Sequence, residues 1–241
     1  ESLARRKAAG RHSAFGTGWF LSSLLSVSPG QSAWAETLNW NGVPGGDWST
    51  STNWAPSARL PDAGDDVLIN GDGPVLATST SAMANSVTVG QVSSGTLVIN
   101  GSLFSNSLSV GVGAGIGGTV TFSGATLQNQ GLLSVGGNGV GTLSLLHGSA
   151  TSPGTVYIGE GATGNGSLTL DNSSTLVTAG TIFVGYGASA APSGGGGRGD
   201  LKILAGSTVN SDRAVLGEGA GTKGDALISG AGSRWTVAAG T

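Results

Sequence analysis

A short phrase, an apolar stretch closed by glycine, returns along the chain and limits what it can fold into. "VTVG" ends at Gly90, "LSVG" at Gly111 and again at Gly136, "VYIG" at Gly159, "IFVG" at Gly185 and "AVLG" at Gly217. The spacings are 21, 25, 23, 26 and 32 residues, the last containing the insertion "SAAPSGGGGRG". A recurrence of this length marks a stacked array, in which each repeat is a small unit that cannot bury its apolar face alone.

After each glycine comes a loop and then an alternating stretch: "TLVIN", "TVTFS", "TLSLL", "SLTLD", "DLKIL" and "DALIS". Alternation with period two predicts half-buried strands. The inward pairs are Leu97/Ile99, Val120/Phe122, Leu143/Leu145, Leu168/Leu170, Leu201/Ile203 and Ala226/Ile228. A second inward column comprises Leu103, Leu127, Ala150, Leu176, Val209 and Trp235. The strand before each glycine supplies a third: Leu108/Val110, Leu133/Val135, Val156/Ile158, Ile182/Val184 and Ala214/Leu216. Three short strands per turn of the chain, each turn laid on the last, predict a parallel β-helix.

Energetics require the stack. One coil buries about five apolar side chains at ~1.5–3 kcal/mol each. Ordering its residues costs about 1.5 kcal/mol apiece. A lone coil therefore stays unfolded, and stability comes from columns and hydrogen bonds shared between neighbours.

Composition agrees. The 46 glycines among 241 residues are about 19%, against a usual ~7%. They serve bends that need φ > 0. Charged residues make up 10%, against about 25% in ordinary domains. There is no cysteine, so disulfides play no part. Four of the ten basic residues lie near the start, at Arg5, Arg6, Lys7 and Arg11. Beyond residue 35 six basic and twelve acidic residues remain, a net −6. That balance argues against nucleic acid and against anionic lipid as partners.

Residues 1–35 read as a signal peptide: a basic start, an apolar run near Trp19–Val27, then Ala33-Trp34-Ala35 as a small-x-small cleavage site with Glu36 as the mature start. The apolar run is shorter than the ~20 residues a membrane span needs. Residues 36–84 break the repeat and hold Trp40, Trp48 and Trp54 with Asp62, Asp65 and Asp66. They are expected to form an N-terminal cap, with the aromatics over the open end of the first coil and the acids facing water. The alternative is a sugar-stacking surface with a Ca²⁺ site. Residues 85–241 hold the repeats, which are expected to continue beyond Thr241.

Gly159-x-Gly161-x-x-Gly164 matches a dinucleotide-binding fingerprint, as do Gly113/Gly115/Gly118 and Gly219/Gly221/Gly224. Each leads into another alternating strand rather than a helix, so no helix N-terminus is available for a pyrophosphate. These are read as turns, and no cofactor is implied. Catalytic patterns are weak. Acidic residues are scattered singly, no G-x-S-x-G elbow occurs, and His147 is the one imidazole beyond residue 35. Arg198-Gly199-Asp200 is an RGD tripeptide beside a glycine run, a speculative adhesive loop.

The segments "GTVYIGEGATGNGSLTLDNSSTLVTAGTIFVGYG" (154–187) and "AVLGEGAGTKGDALISGAGSRWTV" (214–237) resemble the glycine-rich repeats of bacterial autotransporter (type V secretion) passenger domains, shared with PEP-CTERM-associated proteins. Residues 38–71 resemble the Trp-rich start found behind the signal peptide in this group. The resemblance implies a right-handed β-helical stalk, exported and then moved across the outer membrane by a translocator β-barrel of the same polypeptide. The expected fold is all-β: a right-handed parallel β-helix of about six coils, preceded by the cap and the signal peptide. The expected role is a structural stalk at the cell surface, in adhesion or self-association with host or neighbouring-cell ligands or glycans, without catalysis. Two alternatives stand beside it: a carbohydrate-active β-helix enzyme whose site lies outside this stretch, and an exopolysaccharide-matrix PEP-CTERM protein.

Overall fold

The computed structural model describes residues 35–76, 80–152, 154–187 and 196–238. Within them the chain is a stack of parallel β-coils, with a single short helical turn at Ser51–Asn53. The strands follow the sequence phrase by phrase. The first five are β1 (Thr37–Trp40), β2 (Trp54–Ala55), β3 (Asp66–Ile69), β4 (Gly71–Leu76) and β5 (Ser81–Val89). Next come β6 (Gly95–Ile99), β7 (Ser102–Val110), β8 (Gly117–Ser123), β9 (Thr126–Asn129), β10 (Leu133–Val135), β11 (Val140–Leu146) and β12 (Ser149–Thr151). The later coils hold β13 (Val156–Glu160), β14 (Asn165–Asp171), β15 (Thr175–Val177), β16 (Thr181–Tyr186) and β17 (Arg198–Leu204). The last are β18 (Thr208–Ser211), β19 (Arg213–Glu218), β20 (Lys223–Ser229) and β21 (Arg234–Val237).

Three walls result. The first stacks β1, β3, the second half of β5, the second half of β7, and then β10, β13, β16 and β19. The second runs β4-β6-β8-β11-β14-β17-β20. The third takes the first halves of β5 and β7, then β9, β12, β15, β18 and β21. Both β5 and β7 bend around a corner, which joins the first and third walls into one sheet. The stack makes about eight turns, and at ~4.8 Å per rung it is roughly 35 Å long.

Six repeats were legible from the glycine phrase; β1 and β3 add rungs before the first of them. Their phrase lacks the closing glycine. Ile69 pairs with Val89, which sets Asn70 where the next coil has Gly90. The Asn70 side chain accepts the N–H groups of Gln91 (2.9 Å) and Val92 (3.0 Å). A side-chain oxygen here bonds the turn above.

All three aliphatic columns point inward through the body of the stack. Leu108, Val120, Phe122, Leu127, Leu143 and Ile158 are all fully buried. Register is strict: Leu143 lies between Val120 and Leu168, and Leu145 between Phe122 and Leu170. A one-residue slip would turn every one of these side chains to water.

The glycine phrase closes the corner between the first and second walls. Gly159 has φ +72°, and a Cβ there would lie 1.8 Å from the carbonyl oxygen of Arg198 in the next coil. Conformation and close approach therefore both demand glycine. The corner is also hydrogen-bonded: Gly111 N–H donates to Val89 O at 2.8 Å and Gly136 N–H to Val110 O at 2.7 Å. A partner column of glycines begins the second wall. A Cβ on its member Gly199 would meet Ile158 O at 2.2 Å and Gly185 N at 2.4 Å.

The other corners use polar side chains. Asn129, fully buried, donates to Gly131 O (3.1 Å), Leu132 O (2.9 Å) and Ser152 Oγ (3.2 Å), and accepts from Ser105 Oγ (3.2 Å). Ser174 donates to Leu145 O at 2.8 Å and accepts the Gly148 N–H at 3.1 Å. Buried turns would otherwise leave unpaired backbone groups.

Candidate functional site

The outer faces of the walls carry the residues with chemistry. The densest charged strip lies on the second wall. Arg198, Asp200 and Lys202 alternate outward along β17, with Lys223 and Asp225 on β20. The register sets Arg198 beside Lys223 and Asp200 beside Asp225, like charge against like. Each carboxylate is instead paired along its own strand, Asp200 with Lys202 at 2.8 Å and Asp225 with Lys223 at 2.7 Å. Exposed pairs of this kind contribute about 0–1 kcal/mol.

Arg198-Gly199-Asp200 therefore opens a strand paired on both sides, by β14 and by β20. Gly199 is buried, in register between Gly166 and Gly224. It belongs to the glycine column at that corner, so the middle residue of the tripeptide has a packing reason to be there. Most of the glycine-rich insertion before it lies outside the described residues.

A second outward feature is aromatic. Tyr157 and Phe183 stack across neighbouring rungs at 5.1 Å with planes 11° apart, and Tyr186 meets Phe183 at 5.0 Å and 61°. Burial first, then nearby Glu160, Tyr186 and Glu218, push the Tyr157 hydroxyl pKa up. One face of Phe183 is covered by Tyr157, so this ladder is aromatic packing between coils.

The third cluster lies at the N-terminal end. Trp54 packs edge-on against Trp48 (4.6 Å, 66°) and Trp40 (5.1 Å, 74°), and its Nε1 donates to Trp48 O at 2.9 Å. All three indoles are buried, which removes them as an exposed sugar platform. Beside them Arg59 grips Asp65 through two hydrogen bonds of 2.5 Å. Glu36 and Asp62 approach the same guanidinium at 3.4 and 3.5 Å. The acids of this segment were expected to face water, and for Asp65 that is corrected: its side chain is fully buried. Burial alone would raise its pKa. Hydrogen bonds from Arg59 and from the N–H groups of Asp62 (2.9 Å) and Glu36 (3.1 Å), with the Arg59 charge, outweigh burial and hold the carboxyl below its usual range. The hydrogen bonds to Asp65 raise Arg59 in turn.

The Arg59–Asp65 pair escaped sequence reading. Its signal was that Arg59 is the single basic residue between positions 36 and 197. Of the expected processing residues, Ala33 lies outside the described residues. Ala35 is exposed, and Glu36 directly precedes β1. His147 is exposed in a turn with φ +54°. Among the described residues no three His, Asp or Glu side chains gather as a metal site. No protein-family model, curated protein or solved structure matches the chain.

Proposed function

We propose that the chain is a structural stalk of an exported bacterial surface protein, a passenger region of the autotransporter kind. One observation carries this reading: a solenoid whose rungs stack in register along three walls, with one shift between Asp72 and Val75 where β4 meets β6, beginning at a tryptophan-filled end. Such an array turns chain length directly into reach, because each added coil extends it by one rung. The coils wind right-handed in this reading, the hand that parallel strand connections adopt in about 98% of cases.

The charged and aromatic clusters described on the outer faces are engaged internally, aromatic with aromatic and carboxylate with lysine. This supports a mechanical role over a catalytic one for residues 36–241, with ligand contact made through ladder surfaces and loops. Absence of cysteine suits passage through a narrow translocator barrel in an unfolded state. Adhesion or self-association at the outer surface is the role that follows.

The test is localisation. The full chain, produced in a Gram-negative cell and joined to an outer-membrane barrel, should lose its leader and become open to protease on intact cells. Retention in the cytoplasm with the leader attached overturns the reading. Release of reducing or unsaturated sugar from a polysaccharide panel by the purified chain would overturn the non-catalytic part.

A further inference from the structure

Glu36 enters the fold through its own backbone nitrogen. That N–H points at Oδ1 of Asp65, 3.1 Å away, while the Glu36 carbonyl accepts the Asp66 N–H at 2.8 Å. Asp65 is fully buried, and its own carbonyl accepts the N–H groups of Asn85 (2.7 Å) and Ser86 (3.3 Å) of the following coil. The nitrogen of residue 36 is thus joined through one buried residue to the start of the stack.

The charges there do not balance. Among the described residues Arg59 is the one cation there, and it faces three carboxylates, Glu36, Asp62 and Asp65. Asp66, next along β3, adds a fourth acid, whose Oδ1 accepts from Asn85 and Ser86. A second positive charge at the Glu36 nitrogen would sit within hydrogen-bond reach of the buried carboxylate.

We propose that hydrolysis of the Ala35–Glu36 bond creates this charge, and that the new α-ammonium of Glu36 docks on Asp65 as a structural ion pair that fastens the N-terminal end of the stack. Water adds across the peptide bond and the C–N bond breaks. Ala35 departs with the leader as a carboxylate, and Glu36 keeps the nitrogen, protonated at neutral pH. The nitrogen need not move. An amide hydrogen bond becomes a charge-assisted one, roughly twice as strong. The inference rests on export with leader removal, as proposed above, and makes processing a step that tightens the fold.

The experiment follows the amine itself. The full chain is exported, purified after processing and sequenced from its N-terminus, then treated with a reductive-methylation reagent at about pH 7.5. The α-amine should react about sevenfold more slowly in the native protein than in urea, the change in its neutral fraction at that pH expected from a rise of about one pKa unit. Asp65→Asn should return the rate to the unfolded value. Should that variant fail to fold, one alanine inserted between Ala35 and Glu36 moves the amine off Asp65 and should restore the rate instead. A first residue other than Glu36 overturns the processing reading. A first residue of Glu36 whose amine reacts equally fast in native and unfolded protein overturns the docking and leaves export standing.

Discussion

The first and last described coils are built from the same rung chemistry and differ in what covers them. At the N-terminal end Leu38, Val67 and Ile69 are fully buried beneath Trp40, Trp48 and Trp54. At the other, the inward positions of the last described coil lack a rung above them: Leu216 is 48% exposed, Ile228 47% and Val237 45%. Yet Ile228 pairs in register with Ile203, which is fully buried. The difference teaches that burial in this fold belongs to the neighbour rather than to the residue. One rung's aliphatics become core when another coil, or a cluster of indoles, lies over them.

The largest effect that would sharpen this comparison is loss of the central indole. Trp54→Ala should cost about 3–5 kcal/mol in urea unfolding, the range for removing a buried aromatic. Ile228→Ala should cost under about 1 kcal/mol, since a half-exposed side chain leaves little cavity. Equal losses would break the comparison.

The corner glycines extend it. Gly159 and Gly217 share a left-handed φ, +72° and +70°. A Cβ on Gly159 meets the carbonyl of Arg198 at 1.8 Å, whereas on Gly217 the nearest atom is 3.7 Å away. Gly217→Ala should cost only the left-handed penalty of ~1–2 kcal/mol. Gly159→Ala should cost distinctly more, because the coil above must also shift. Chemical unfolding of the two variants measures that excess, and identical midpoints would show that the coils give way easily.

A smaller, pH-dependent effect should appear at the closed end alone. The folded pKa of Asp65 is depressed. Its contribution is therefore complete above the unfolded value of about 3.9 and disappears as pH falls through the folded one. Hydrogen exchange at β1 and β3 should accelerate below about pH 4, while β18 and β21 stay unchanged. Asp65→Asn should lower stability by about 1–3 kcal/mol and flatten that slope. The smallest effect is expected from Leu216→Ser, within about 0.5 kcal/mol, read as an unchanged unfolding midpoint.

Much of the stack was legible because its signals are local and repeated. Alternation named Leu143, Leu145, Leu168 and Leu170 as inward, and glycine marked the corner after each first-wall strand from β5 onward. What escaped depends on contacts between distant residues. The strand Asp66–Ile69 is a rung like the others, but it ends at Asn70, and an asparagine that hydrogen-bonds forward leaves no glycine to find. Asp65 reads as a surface acid until Arg59, six residues earlier, is seen folded against it. Gly199 reads as part of a tripeptide until Gly166 and Gly224 are seen beneath and above it. Register, rather than composition, decides each of these cases.

The connection between β16 and β17 falls within the longest interval in the glycine series, yet the strands on either side keep their pairings without a shift: Tyr186 opposite Glu218, Arg198 opposite Asn165. The prism is thus indifferent to how much chain is spent between its walls at that point, and lengthening such a connection costs only about 0.6 kcal/mol per doubling. Insertions there are a cheap route to diversity. A chain of this kind can take up extra residues at that connection while the strands on either side keep their partners.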